Sequence, residues 1–371
     1  MIGRSSARAR RAWLAPALLP AVNLALALAL SGAVVLLIGE SPGRALRVLV
    51  AGAFGNAEAL GYTLYYATDF VFTGLAVAVA FHAGLFNIGA DGQAYLGGLG
   101  VALLCLGAGA WPPALVIAAA IPVAAVAGAL WALVPAWLQA RRGSHIVITT
   151  IMFNFIASAL MTYLLVNWLM KPGQQSPETR EFGANAWLPQ LYDVARSLGW
   201  DIGRAPVNLS ALLALVACGL VWFYLWHTRW GYELRALGEN ATAAVYGGIR
   251  PARIVIAAMS ISGALAGLMS LNEVMGVQHR LLLNFTGGAG FVGIAVALMG
   301  RNHPVGIALA AILFGALYQG GSELSLDMPT LTRDMVVVIQ GLIILVCGAL
   351  EHALRRPIEA LLCPARGRAG G

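Results

Sequence analysis

The sequence predicts an all-α polytopic membrane protein of about ten transmembrane helices. Three observations carry the prediction. Hydrophobic residues make up 60% of the chain and charged residues 11%, against about a quarter charged in ordinary soluble domains. Apolar runs recur along the whole length with only short connections between most of them. At about 20 residues per crossing helix, 371 residues fill with ten spans and leave no room for a large extramembrane catalytic domain.

In chain order, Arg4, Arg8, Arg10 and Arg11 precede the first apolar run, which makes residues 1–13 a cytoplasmic basic tail. The first span, 14–37, starts like a signal peptide, but its apolar run is too long and more spans follow, so it is read as a retained signal anchor. Further spans are expected at 65–83, 88–108, 113–138, 146–168, 208–227, 253–272, 286–300, 304–320 and 335–350, together forming one transmembrane domain over 14–350. Between 65–83 and 88–108 stand only Gly84, Phe86, Asn87, Gly89 and their neighbours. The chain there makes either a tight hairpin or a helix broken inside the bilayer, which hydropathy does not distinguish. Alternating the loops places most of the 23 Lys and Arg inside and returns the tail 351–371 to the cytoplasm. The basic balance thus reflects topology and anionic lipid, and nucleic-acid binding is excluded as a reading. The longest outward segment is 169–207.

Residues 229–253 form a patterned polar loop between two apolar runs. It reads as two short helices: Glu233 to Leu237 stopped by Gly238, then Ala241 to Tyr246, with Asn240 capping its start and Gly247-Gly248 ending it. Such punctuation suits a docking surface; an ordinary interfacial helix pair is the alternative.

Several chemistries are excluded. The one lysine, Lys171, lies in the outer loop, so no phosphate-cradling G-x-x-x-x-G-K-[ST] exists. The span interiors are read as free of ionisable groups, with Asp69 and Asp334 near span ends and only neutral polar groups such as Asn154 and Gln340 in the middles, which argues against proton relay. Cys105, Cys218, Cys347 and Cys363 have no metal-type spacing. No catalytic or metal-binding constellation falls in the spans, so energy comes from a partner or transport is passive.

A translocation path needs groups that tolerate a polar solute. Thr150, Asn154, Ser158 and Thr162 recur at i+4 on one face of the fifth span, as a pathway wall or as interhelical hydrogen-bonding groups. Asn87, Asp91 and Gln93 follow glycines that permit a broken backbone, where discontinuous helices expose polar groups to substrate; in a hairpin, Asp91 would only cap the third span. Phe86, Phe153, Phe155 and Phe291 either stack on a solute ring or pack. Gly263 and Gly267 make a small-residue face on span seven, and Gly287, Gly288, Gly290 and Gly293 thin the start of span eight. Gly74-Leu-Ala-Val-Ala and Gly293-Ile-Ala-Val-Ala repeat one phrase.

Four segments in register carry a resemblance: GLAVAVAFHAGLFNIGADGQ at 74–93, SHIVITTIMFNFIA at 144–157, ALGENATAAVYGGI at 236–249 and GFVGIAVALMGRNHPVG at 290–306. Together they resemble the permease subunits of ABC importers, in the nucleoside and simple-sugar branch of the group that also holds ribose and branched-chain amino acid permeases. Ser144-His145 departs from the Asn-Glu pair expected there. The resemblance implies a fold similar to the vitamin B12 type of importer permease in a bacterial inner membrane, with both termini cytoplasmic. It also implies partners: an ATPase subunit with tandem domains that binds ATP and Mg, a second and different permease, and a periplasmic or lipid-anchored substrate-binding protein that meets the outer loop. No cofactor is then expected in this chain. The loop becomes the ATPase-coupling element, with Glu233, Arg235, Gly238, Glu239, Asn240, Ala244 and Gly247 as its contacts. The pathway is expected to involve Asn87, Asp91, Gln93, Thr150, Phe153, Asn154, Ser158 and Phe291. Uncharged linings favour a neutral solute, nucleosides first and simple sugars second; a self-contained facilitator or ion-coupled carrier is the alternative of a different class.

Overall fold

The computed structural model describes Val22, residues 25–171, 173–197 and 203–328, and Thr330, Leu331, Met335, 337–339, 341–342 and 345–346. The start of the predicted first span, most of the predicted tenth span, both predicted tails, and Asp334, Gln340, Cys347 and Cys363 lie outside the described residues. Among the described residues the structure is helical, with only isolated β-bridges besides.

The chain forms two compact units, residues 1–52 with 320–371, and residues 53–319. In the first, α1 (Ala25–Leu37) is followed by α2 (Pro42–Phe54), a short helix that hydropathy did not reveal. α2 packs closely on the end of α13 (Pro304–Asp327): a Cβ on Gly320 would lie 2.3 Å from the Leu49 carbonyl oxygen, and one on Gly52 would lie 2.6 Å from Glu323 Cβ.

The second unit holds α3 (Ala57–His82), α4 (Ala90–Gly107), α5 (Pro113–Arg142), α6 (Ile146–Leu164), α7 (Leu191–Ser197), α8 (Leu209–His227), α9 (Arg229–Glu239), α10 (Ala241–Tyr246), α11 (Pro251–Ser270), α12 (Ala289–Met299) and the start of α13. Local chemistry sets many of these boundaries. Asn56 caps α3 by accepting from Ala59 N (2.7 Å), and Asn208 caps α8 by accepting from Ser210 N (3.0 Å). Pro113 and Pro251 occupy first-turn positions, where no intrahelical N–H is needed, and Gly143 ends α5 in the left-handed conformation. Among the described residues six helices are long and apolar enough to cross a bilayer: α3, α5, α6, α8, α11 and α13, with α6 and α11 each extended by a π-turn. The predicted eighth span is a correction: α12 has 11 residues, about 16 Å of helix, too short to cross alone.

α11 is the centre of this unit, packed against α5, α4 and α3. The contacts are backbone to backbone. A Cβ on Gly128 would sit 2.2 Å from the Gly263 carbonyl oxygen, one on Gly267 would sit 2.3 Å from that of Ala124, and one on Gly97 would sit 2.6 Å from that of Gly267. Small residues allow this approach where apolar surface gives no drive for helices to associate within lipid. The repeated phrase is also a contact: Gly293 of α12 abuts Thr73 of α3, and Gly74 abuts Val296. Outside the helices, the segment 170–190 is tied to 275–282 by hydrogen bonds from Thr179 N to Leu281 O (3.0 Å) and from Phe182 N to His279 O (2.8 Å).

Gly267→Leu is expected to force α4, α5 and α11 apart, costing at least about 3 kcal/mol, visible as a lowered melting temperature and loss of monodisperse protein. Gly107→Leu, where a Cβ meets nothing within 4 Å, should change neither.

Candidate translocation and coupling sites

α3 ends at His82. Gly84, at φ +72°, turns the chain, and residues 85–89 run without helix until α4 begins. This segment is largely buried, and Asn87 has no exposed surface. Asn87 Nδ2 donates to Ser262 Oγ of α11 (2.8 Å), which donates to the Ala76 carbonyl of α3 (2.6 Å). The amides of Asn87 and Gln93 exchange two bonds, at 2.9 and 3.1 Å. From α6, Asn154 uses both ends of its amide: Nδ2 donates to the Ile88 carbonyl and Oδ1 accepts from Gly92 N, each at 2.9 Å. Ser262 lies about 16 Å along α11 from Pro251, at 1.5 Å per residue. Between the two readings the sequence left open, the geometry is therefore that of a helix broken deep inside the bundle. Leu85, Asn87 and Gly89 are buried there, and side chains of α6 and α11 supply bonds that helix would otherwise supply.

A second discontinuity meets the first. α11 runs through a π-turn, Leu271–Met275, and the chain continues without regular helix until α12. Gly287 and Gly288 both have positive φ, and a Cβ on Gly290 would lie 2.3 Å from Asp91 N. The first turns of α4 and α12 thus touch in mid-bundle. Asp91 lies between them, accepting from Gly290 N (3.4 Å), with the Thr286 side chain beside it. Its carboxyl group faces the amino-terminal ends of two helices, whose free amides favour an acceptor there. Tyr95 donates to Asn284 Oδ1 (2.8 Å) and packs edge-on to Phe285. Asn284, Gly287 and Phe291 leave this rim open, Phe291 being 49% exposed.

The remaining predicted lining residues divide. Thr150 is buried beside Gly89 and donates to its own helix at Ile146 O (2.8 Å). Phe153 packs on Trp131 of α5. Ser158 is half-buried on α6, and the Thr162 hydroxyl donates to its carbonyl. The predicted i+4 stripe is therefore mostly tied to backbone, with Asn154 the member that reaches across to another element.

The expectation that span interiors carry no ionisable groups is overturned. α3 begins at Ala57, eight residues before the predicted edge, because polar side chains of its first turns are satisfied inside: Thr63, fully buried, donates to the Ala53 carbonyl (2.9 Å). Asp69 therefore falls in the middle of a helix. It accepts from Asn272 Nδ2 (2.9 Å), and the neighbouring Glu273 accepts from the Tyr65 hydroxyl. Asn272 Oδ1 in turn accepts from Asn208 Nδ2 and Ser210 Oγ, both at 2.8 Å. Asn272 and Glu273 thus link the end of α11 to α3 through Asp69 and Tyr65, while α8 is joined through Asn272. The signal missed was Glu273 itself, one residue beyond the predicted end of span seven.

At the other end of the bundle, α9 and α10 form the predicted helix pair, with α9 corrected at both ends. α9 starts at Arg229, where Thr228 caps it by accepting from Gly231 N (3.0 Å), and Gly238 does not stop it. Gly238 stays helical because its bare face lies against α3: a Cβ there would be 2.2 Å from the His82 carbonyl oxygen and 3.0 Å from Gly84 N. Asn240 caps α10 as its spacing implies, accepting from Ala243 N (3.0 Å), and Gly247 N closes on the Ala243 carbonyl (3.0 Å). Glu233 pairs with Arg229 (3.0 Å), and the guanidinium of Arg235 lies 5.9 Å from the Trp226 ring, which also contacts His82 and His303. Ala244 is buried, whereas Glu239, Asn240, Trp230, Tyr232 and Tyr246 are exposed. Among the described residues no cluster of three or more His, Cys, Asp or Glu is placed to hold a metal.

A helical bundle with two helices interrupted at its centre, and a capped helix pair against one of those interruptions, defines a membrane permease rather than an enzyme. The chain belongs to the family described as branched-chain amino acid transport system / permease component, which matches residues 59–347. It is 34% identical to a guanosine ABC transporter permease protein of Bacillus subtilis, over 91% of this chain and 94% of that one. A glucose ABC transporter permease protein of Haloferax volcanii is 33% identical, over 90% and 87%. A nucleoside ABC transporter permease protein of Lactococcus lactis is 31% identical, over 88% and 89%, and a second nucleoside permease protein of the same organism is 27% identical over 68% of this chain.

Asn154→Leu is expected to leave Ile88 O and Gly92 N without partners, costing about 1–4 kcal/mol for the two bonds in a melting experiment. A cysteine at Ile88 should become more accessible to a thiol reagent in that variant. A pH effect is expected on the segment that meets His279. Burial holds the His279 imidazole below its ordinary value, with the Met275 carbonyl opposing, and the neutral ring stacks on Trp187 at 4.2 Å. The stack is fully present above the ordinary histidine pKa of about 6.5 and is lost as pH falls through the lowered folded value. Protease sensitivity within 173–197 should rise on acidification, and should rise less in His279→Phe.

Proposed function

We propose that this permease is the transmembrane subunit of an ATP-driven importer for nucleosides, working with a second, different permease, a separate ATPase of tandem domains and a binding protein on the outer side. The observation that carries the reading is the seat of Gly238. The exposed helix pair α9–α10 bears directly on the end of α3 and on Gly84, where the buried break begins, so a push from a partner ATPase on the pair is delivered to the segment that Asn87 and Asn154 hold. Ten spans with both termini inside, in the vitamin B12 type of arrangement, put this pair in the cytoplasm beside the ATPase.

In this reading Glu239, Asn240 and Gly247 form the contact with the ATPase; Ala244, expected as a contact, is buried against its own chain and seats α10, while Glu233 and Arg235 brace α9. The open rim at Asn284, Gly287 and Phe291 faces the second permease, and Asp91, Asn87, Gln93 and Asn154 shape the path between them. Nucleosides are favoured by the names of the two bacterial relatives; a simple sugar is the second reading, favoured by the haloarchaeal glucose permease at nearly the same identity. A ribose moiety bridges both, since its hydroxyls suit amide and carboxylate partners.

In proteoliposomes holding the complete importer, Glu239→Ala with Asn240→Ala is expected to lower uptake about tenfold while ATP hydrolysis persists, since the cap alone is worth about 1 kcal/mol and the partner contact adds to it. Unchanged uptake would point to a self-contained carrier. Competition among labelled guanosine, uridine, ribose and glucose is expected to favour the nucleosides; uptake of sugar alone would establish the second reading.

A further inference from the structure

A groove separate from both sites opens between α3, α8 and α13, with a volume of about 480 Å³. Its walls are almost wholly apolar. Leu191 and Val194 of α7 and Val207 form the rim, and Val71 and Ile312 lie toward the other end. From Leu64 to Val71 the wall descends about 10 Å, and from Leu209 to Leu215 about 9 Å, at 1.5 Å per residue. With the rim added, that is close to one leaflet, about 15 Å of a hydrocarbon core about 30 Å thick.

A polar cluster stands beside this apolar rim. Tyr192, on the turn of α7 that carries Leu191 and Val194, has the guanidinium of Arg196 at 6.0 Å from its ring and that of Arg204 at 5.9 Å. Arg196 Nη1 also donates to the Tyr192 hydroxyl (3.4 Å). Both arginines are exposed, and neither forms an ion pair among the described residues. Among the described residues, Asp193 stands on α7 itself and Glu58 lies against Gly203. Two planar cations held around one phenol ring over an apolar slot of one-leaflet depth have the chemistry of a phosphodiester headgroup with a chain beneath it.

We propose that this groove binds an anionic phospholipid of the outer leaflet, its phosphate between Arg196 and Arg204 and one acyl chain along α8 between α3 and α13. Charge complementarity selects the occupant: a helix from a partner protein would fill the slot but would leave the arginine pair unpaired, and free phosphate would leave the slot empty. The bound lipid fastens α7 to α3 and α8, near the Asn208 and Asp69 links.

Native mass spectrometry of the full chain in detergent, titrated with dioleoyl phosphatidylglycerol, tests this. One lipid is expected to be retained at concentrations where dioleoyl phosphatidylcholine is not. Arg196→Gln with Arg204→Gln should weaken retention about 25-fold, at about fivefold per arginine. Ala211→Trp, which fills the slot and leaves the arginines in place, should abolish retention while the melting temperature of lipid-free protein stays unchanged. Equal retention of the two lipids, retention indifferent to both variants, competition by inorganic phosphate alone, or a photo-crosslinker at Leu212 that captures a protein segment in native membranes would each overturn the proposal.

Discussion

Inside a bilayer every backbone N–H and C=O must find a partner within the protein, and this constraint shapes the whole of the second unit. The chain leaves helical conformation twice in the middle of the bundle, over residues 85–89 and ahead of α12, and each departure is made good by side chains from elsewhere. Asn154 bonds both the carbonyl and the amide that the first break frees, and Asn87 completes a chain of bonds through Ser262 to α3. The π-turn at the end of α11 carries Asn272, which reaches Asp69 and Asn208, and Glu273, which accepts from Tyr65. The permease is rigid where glycines bring α4, α5 and α11 into backbone contact. Polar links replace this packing where the helices are interrupted.

That division places the movable parts. The α4–α5–α11 contact rests on Gly97, Gly128, Gly263 and Gly267 and has no room to change shape without separating. Around the breaks, a few hydrogen bonds at 2.8 to 3.1 Å hold the segment, and such bonds in membranes are each worth about 0.6 to 2 kcal/mol. An energy of that size is within reach of ATP-driven work on α9, whose Gly238 abuts the start of the break.

Much of the helix pair α9–α10 was legible in the sequence because capping is a local signal. Asn240 three residues before Ala243, and Gly247 at the end of α10, act within one turn, so a reader of residues alone places them correctly. Gly238 misled for the same reason: a glycine late in a helix reads as a stop, and only the His82 carbonyl across the bundle explains why the helix runs through it. The polar character of 87–93 was also visible, but its partners were not, since nothing in the spacing joins Asn87 to Ser262, 175 residues away. Asp69 and Glu273 were lost because hydropathy trims a helix at its first polar turns, and each acid stood close to a trimmed edge. α2 and α7 escaped because 13 and 7 residues are too few to register as spans.

The central claim is that α9 moves the broken segment. Spin labels at Ile88 and Ser158 in the complete importer, with their distance read by pulsed electron resonance in the nucleotide-free and ATP-trapped states, test it most directly. The distance is expected to shift between the two states, and the shift should vanish when Gly238→Val unseats α9 from His82. A distance that is the same in both states while transport proceeds would contradict it.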